Sequence, residues 1–123
     1  MTTVMLVDDS ATMLMSLKTI LTKAGYQVET AGHGREALDK LNTGLRPNLI
    51  ISDVNMPHMD GISFTREARK AAGLRFTPIL MLTTESEQAK RAEAKTAGAT
   101  GWLVKPVAPD QLLGVIKQVV PGS

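Results

Sequence analysis

The chain has 123 residues, 43% of them hydrophobic, which suits one domain with a sizeable core and is too short for two. It contains no cysteine, so disulfides and thiolate metal sites are excluded and the cytoplasm is the expected compartment. No apolar stretch approaches the roughly 20 residues that cross a bilayer, and a net charge of +2 with 3% aromatics argues against a nucleic-acid footprint. The apolar periodicity then alternates along the chain. "TTVMLV" (2–7) predicts a buried strand, and "SATMLMSLKTILTKAG" (10–25) a helix with Met13, Leu17, Ile20, Leu21 and Ala24 in one stripe. Ser10 suits its N-cap and Gly25 its stop. "YQVETA" (26–31) predicts a second strand and "GREALDKLNTG" (34–44) a second helix, with Ala37, Leu38 and Leu41 facing inward. "NLIIS" (48–52) predicts a third strand, its unbroken apolar run implying burial on both faces.

After the turn at Asp60-Gly61, residues 61–72 predict a third helix and "PILML" (78–82) a fourth strand. A charged, alanine-rich helix is expected over 86–98, a fifth strand over 100–104, and a last helix over 109–120 with Pro109 in its first turn. No linker or repeat divides this series, so residues 1–123 are expected to form a single domain. Strand–helix alternation of this kind implies an open, doubly wound parallel sheet, which binds ligands beyond the carboxyl ends of its strands. The residues at those ends are Asp8 and Asp9, then Asp53, then Thr83 and Thr84, then Lys105 and Pro106. Clustered carboxylates repel one another unless a cation joins them. Oxygen donors without histidine or thiolate suit a hard ion, Mg2+, with Mn2+ as the alternative. Lys105 then offers a point charge, and Thr83 a hydroxyl, to a phosphoryl group. Taken singly, each residue is more readily a strand-end polar group, and the adjacent aspartates nearly as readily a helix cap.

With "DD" at 8–9, "SDVNMPHMDG" at 52–61, "TT" at 83–84 and "KP" at 105–106, the chain resembles a response-regulator receiver domain of the single-domain chemotaxis (CheY-like) type. The resemblance implies a flavodoxin-like fold with strand order 2-1-3-4-5 and five helices. It implies Asp53 as phosphoacceptor, Asp8 and Asp9 as the acidic pair that positions Mg2+, and the backbone carbonyl of Asn55 as a further ligand. Lys105 and Thr83 would contact the phosphoryl oxygens, and the bond before Pro106 would be cis. Thr83 and Trp102 would be the switch pair. Trp102 is bulkier than the family's usual tyrosine or phenylalanine, and Val107 stands where phenylalanine is common.

The implied activity is a signalling switch that takes a phosphoryl group from the phosphohistidine of a histidine kinase or its phosphotransfer domain, and then releases it to water. Asn55 and Glu85 would tune that loss, with a helix N-terminal acid as the other reading of Glu85. The implied output is chemotaxis signalling to a flagellar motor switch protein, from a monomer with no nucleic-acid or membrane partner. A receiver excised from a larger hybrid kinase or transcription regulator, or a phosphate sink, is the alternative. Helical phase sets Met15 opposite the buried stripe and Leu14 at its margin, so both, with Pro106, are candidate kinase-docking residues. Met5, Met56, Met59 and Met81 read as packing residues, and His33 and His58 as solvent-facing loop residues. A flavodoxin-type cofactor binder is disfavoured by two acids where a phosphate loop would lie. An aspartyl phosphatase is disfavoured by Asn55 where a second acid would stand, and a P-loop enzyme lacks its glycine-lysine loop.

Overall fold

Alternation of buried side chains to opposite faces gives the chain its layers. In the computed structural model, which describes residues 1–71, 73–84 and 89–122, five strands form one parallel sheet in the order β2-β1-β3-β4-β5. They are β1 (Thr3–Val7), β2 (Gln27–Ala31), β3 (Leu49–Asp53), β4 (Ile79–Thr83) and β5 (Gly101–Val104). Between and after them run α1 (Ala11–Lys23), α2 (Gly34–Asn42), α3 (Gly61–Ala68), α4 (Arg91–Ala97) and α5 (Pro109–Val119). Both the expected strand order and the doubly wound class are therefore correct.

Each central strand feeds two cores. Met5, Val7, Ile50, Ile79 and Met81 pack with Leu38, Leu41, Phe64, Ala68 and Ala94 from α2, α3 and α4. Val4, Leu6, Leu49, Ile51, Leu80 and Leu82 pack with Leu17, Leu21, Leu112 and Ile116 from α1 and α5. Every residue of β3 and β4 is buried, as two-sided coverage of a parallel sheet requires. Each fully buried side chain of this size contributes roughly 1.5–3 kcal/mol, so the two cores hold the strand ends, and whatever they carry, in fixed relation. No helix among the described residues is long and apolar enough to cross a membrane.

Local signals set most element boundaries. The Ser10 hydroxyl caps α1 by accepting from the Met13 N–H, and Gly25 at φ 96° ends it in the left-handed region. Ala24, expected in the buried stripe, is instead exposed at the helix C-cap. The Asp60 carboxylate caps α3. That helix is shorter than expected: it ends at Ala68, and the chain tightens into i→i+3 turns through Lys70 and Ala71 before Gly73 at φ 83°. The expected fourth helix is described only from Arg91, and residues 86–88 of it lie outside the described residues. His33 departs from the solvent-facing expectation. It is half-buried, its Nδ1 accepts the Glu36 N–H to cap α2, and its ring meets His58 edge-on at 6.2 Å.

Candidate functional site

Parallel pairing brings the strand ends into register at one edge of the sheet. Val7 pairs with Ser52, Asp53 with Leu82, and Thr83 with Val104, so Asp8, Asp53, Thr83 and Lys105 all come to the same end of the sheet. The ladder runs one residue further than the sequence suggests. Asp53 and Thr83 close their strands instead of opening the loops, because the Val54 N–H donates to the Leu82 carbonyl and the Lys105 N–H to the Thr83 carbonyl. Their backbones are thus fixed by sheet hydrogen bonds on rigid elements.

Three carboxylates converge there: one oxygen each from Asp8, Asp9 and Asp53 lies within 4.8 Å of the others. Asp8 and Asp53 are buried and Asp9 is exposed. The Asp8 carboxylate is oriented by the Ser10 N–H, which donates to its Oδ1 at 2.9 Å. Lys105 enters from the end of β5, its Nζ 3.1 Å from Asp53 Oδ1 and 3.5 Å from Asp8 Oδ2. Burial works to lower the Lys105 pKa, but attraction and hydrogen bonding to Asp53 and then Asp8 outweigh it and hold the ammonium above its ordinary value. Among the described residues three carboxylates face one ammonium, which leaves the site short of positive charge. The donors are all oxygen and clustered within reach of one ion, with one acid open to solvent. That set fits a hard divalent cation that keeps part of its water shell.

The remaining expected residues arrange themselves around this cluster. Thr83 is buried, and its hydroxyl donates to the Thr84 carbonyl at 3.1 Å. Asn55 is exposed just past Asp53, and the Lys105–Pro106 bond is cis with Pro106 exposed. Trp102 is half-buried against the α2–α4 core, and its Nε1 is a buried donor that lacks a partner among the described residues. On α1, Met15 is 72% exposed as phase requires, whereas Leu14 is half-buried against the second core. Glu85 lies outside the described residues.

One contributor carries no chemistry and escapes notice in the sequence as more than a turn residue. Gly61 opens α3 so close to β3 that a Cβ there would stand 2.1 Å from the Asp53 carbonyl oxygen. The Gly61 N–H also donates to the Val54 carbonyl at 2.7 Å. Glycine at this point is what lets the helix return across the end of the strand that carries Asp53.

Comparison with known proteins follows the same lines. Residues 4–117 match the family model for the response regulator receiver domain. The chain belongs to that family. It is 38% identical over 120 residues to the chemotaxis protein CheY1 of Helicobacter pylori, covering 97% of this chain and 96% of that one. It is 37% identical over 123 residues to a transcriptional regulatory protein, the CpxR homolog of Haemophilus influenzae, of which it spans 52%. Among solved structures it superposes on the chemotaxis response regulator CheY4 of Vibrio cholerae with a TM-score of 0.90 at 50% identity, covering 97% of this chain and 98% of that one. The expected family and the receiver class are therefore correct. The receiver fold places the carboxylate cluster at the sheet edge where open α/β sheets bind their ligands.

Proposed function

We propose that Asp53 accepts a phosphoryl group from the phosphohistidine of a histidine kinase or its phosphotransfer domain. The observation that carries this reading is the Lys105 ammonium set between Asp53 at 3.1 Å and Asp8 at 3.5 Å in a pocket with excess negative charge. Asp8, Asp9 and Asp53, with the backbone carbonyl of Asn55, would hold Mg2+ or Mn2+. When bound, that ion supplies charge neutralisation between the carboxylates and the phosphoryl oxygens.

An Asp53 carboxylate oxygen forms the new O–P bond as the N–P bond of the donor breaks. The bonding pair returns to the imidazole nitrogen, which takes a proton from water. Lys105 stabilises the charge on the transferring oxygens. The Thr83 hydroxyl turns from the Thr84 carbonyl to donate to the acyl phosphate. Dephosphorylation is attack of water on phosphorus in line with Asp53, a step whose rate Asn55 and Glu85 would tune.

Output follows from a population shift, since the phosphorylated and free states differ in the interactions offered to Thr83. The partner-facing surface is α4, β5 and α5, with Trp102 as its switch residue. Identity of 38% to a chemotaxis protein supports a flagellar motor switch protein as target. The second reading, a receiver within a longer transcription regulator, is favoured by the 37% identity to a protein of which the chain spans 52%. A motor switch peptide whose affinity rises on phosphorylation selects the first reading, and equal weak binding in both states the second. Met15, Leu14 and Pro106 are assigned to the docking surface for the phosphodonor helix. The phosphotransfer claim is tested with a labelled kinase: wild-type protein takes up label in the presence of Mg2+ and Asp53→Asn does not. Equal uptake by both proteins would reject it.

A further inference from the structure

Helix α3 is fastened at both ends. At its start, Gly61 lies against the Asp53 carbonyl and donates to Val54. At its end stands Arg69, the C-cap residue, whose guanidinium reaches the loop that follows it, at 74–77, and the distant turn at 98–100. Nε and Nη2 donate to the Gly98 carbonyl at 3.1 and 2.8 Å, and Nη2 to the Thr100 hydroxyl at 3.4 Å. Nη1 donates to the Leu74 carbonyl at 2.8 Å and also to the Thr77 carbonyl. All of these acceptors are carbonyls or a hydroxyl. Burial lowers the Arg69 pKa from its ordinary value, so a partly desolvated cation is held by neutral dipoles whose positions it fixes in turn. A planar fork with five donors suits this task and an ammonium does not.

The gripped turn leads directly into β5. Gly98 sits at φ 111°, and a Cβ on it would approach the Arg69 side chain to 3.1 Å, so the turn and the arginine stem are fitted to each other. Thr100 is locked further: its Oγ1 accepts the Ile79 N–H at 3.1 Å and its own N–H donates to the Ile79 carbonyl at 2.7 Å. Beyond it, Thr100, Gly101 and Trp102 form one wall of a cavity of about 610 Å³, with Arg91, Ala92 and Lys95 of α4 on the other.

We infer that α3 is a strut between the phosphoacceptor strand and the α4–β5 turn, and that Arg69 is the positioning residue that sets the cavity beside Trp102. Its signalling consequence rests on the reading of Asp53 as phosphoacceptor; its positional content stands on the geometry alone. The strut supplies a connection from Asp53 to Trp102 that does not pass through Thr83.

Trp102 is the only tryptophan, so its emission reports this site without interference. Two readouts are needed. Acrylamide quenching is measured on the folded, unphosphorylated protein. The emission change is then measured after phosphorylation with acetyl phosphate and Mg2+ and normalised to phosphoryl occupancy from intact mass. Arg69→Met removes charge and fork, whereas Arg69→Lys keeps the charge and loses the fork. Both raise the quenching constant at least twofold and cut the emission change per phosphoryl group at least threefold. Thr100→Val, which keeps the arginine and removes one acceptor, moves both readouts the same way by less and stands in if the Arg69 variants do not fold. Wild-type quenching in folded Arg69→Met or Arg69→Lys overturns the inference, as does wild-type quenching in Thr100→Val where it stands in. Full rescue by lysine also overturns it. Failure of wild-type protein to take a phosphoryl group removes the function reading, and quenching still decides the positional claim.

Discussion

Replacing Lys105 by methionine removes one charge from the centre of the carboxylate cluster while keeping an unbranched apolar stem. Two attractions are lost, at 3.1 Å to Asp53 and 3.5 Å to Asp8. At an effective dielectric near 20 each is about 5 kcal/mol gross. Most of that is offset by desolvation, which opposes the charge on Lys105 more strongly than any single attraction supports it. The side chain also keeps 19% of its surface in water, which screens the pair. A net loss of about 1–3 kcal/mol remains, or roughly 4–12 °C in melting temperature for a domain of this size. The sign of the Mg2+ effect is opposite. With the competing ammonium gone, the cluster holds the cation more tightly, so added Mg2+ raises the melting temperature of Lys105→Met more than that of the wild type, and the gap between them narrows.

The pH dependence follows from the raised Lys105 pKa. The lysine's contribution is fully present below its unfolded value of about 10.5 and is lost as pH rises through the folded value, so the wild-type advantage closes there. Calorimetric melts with and without Mg2+, from neutral to strongly alkaline pH, test all three statements. Equal melting temperatures without Mg2+, or equal Mg2+-induced shifts in the two proteins, would refute the reasoning.

Gly61→Ala forces a Cβ against the Asp53 backbone, where the clashing atoms cannot swing aside. A loss of more than about 2 kcal/mol in urea unfolding is expected, and an unchanged midpoint would contradict the close approach. Glu36 accepts the Gly32 N–H, which lowers its pKa from 4.5 against the opposing effect of burial. Its contribution is present above pH 4.5 and lost as pH falls through the folded value, so Glu36→Gln should flatten the acid limb of the stability profile. An unchanged acid limb would assign that loss to other groups. Met15→Asp should slow phosphotransfer from the kinase at least fivefold and leave phosphorylation by acetyl phosphate unchanged; equal loss of both would reject the docking role.

The fold was legible because strand and helix periods alternate without interruption, and because β3 reads as apolar on both faces. Strand ends were less so. Asp53 and Thr83 look like loop residues by composition, yet they pair in the ladder, since backbone hydrogen bonding does not depend on side-chain polarity. The charged members of the site were readable as residues at or just beyond strand ends, and the topology then set Asp8, Asp9, Asp53 and Lys105 together. Contacts between elements left weaker traces. His33 looked solvent-facing because its capping role depends on a backbone N–H, and nothing in the sequence singles out Arg69, whose acceptors are carbonyls and one hydroxyl up to 31 residues away. Leu14 carried a phase signal at the edge of the stripe, and packing against the second core resolved it as half-buried.

The central claim is that this sheet edge makes Asp53 a Mg2+-dependent phosphoryl acceptor. Treating the protein with acetyl phosphate and then borohydride reduces an aspartyl phosphate to homoserine with release of phosphate and marks its position in a peptide map. The mark is expected at residue 53, present with Mg2+ and abolished by chelation. A mark at another residue, or one at 53 that is indifferent to Mg2+, would contradict the claim.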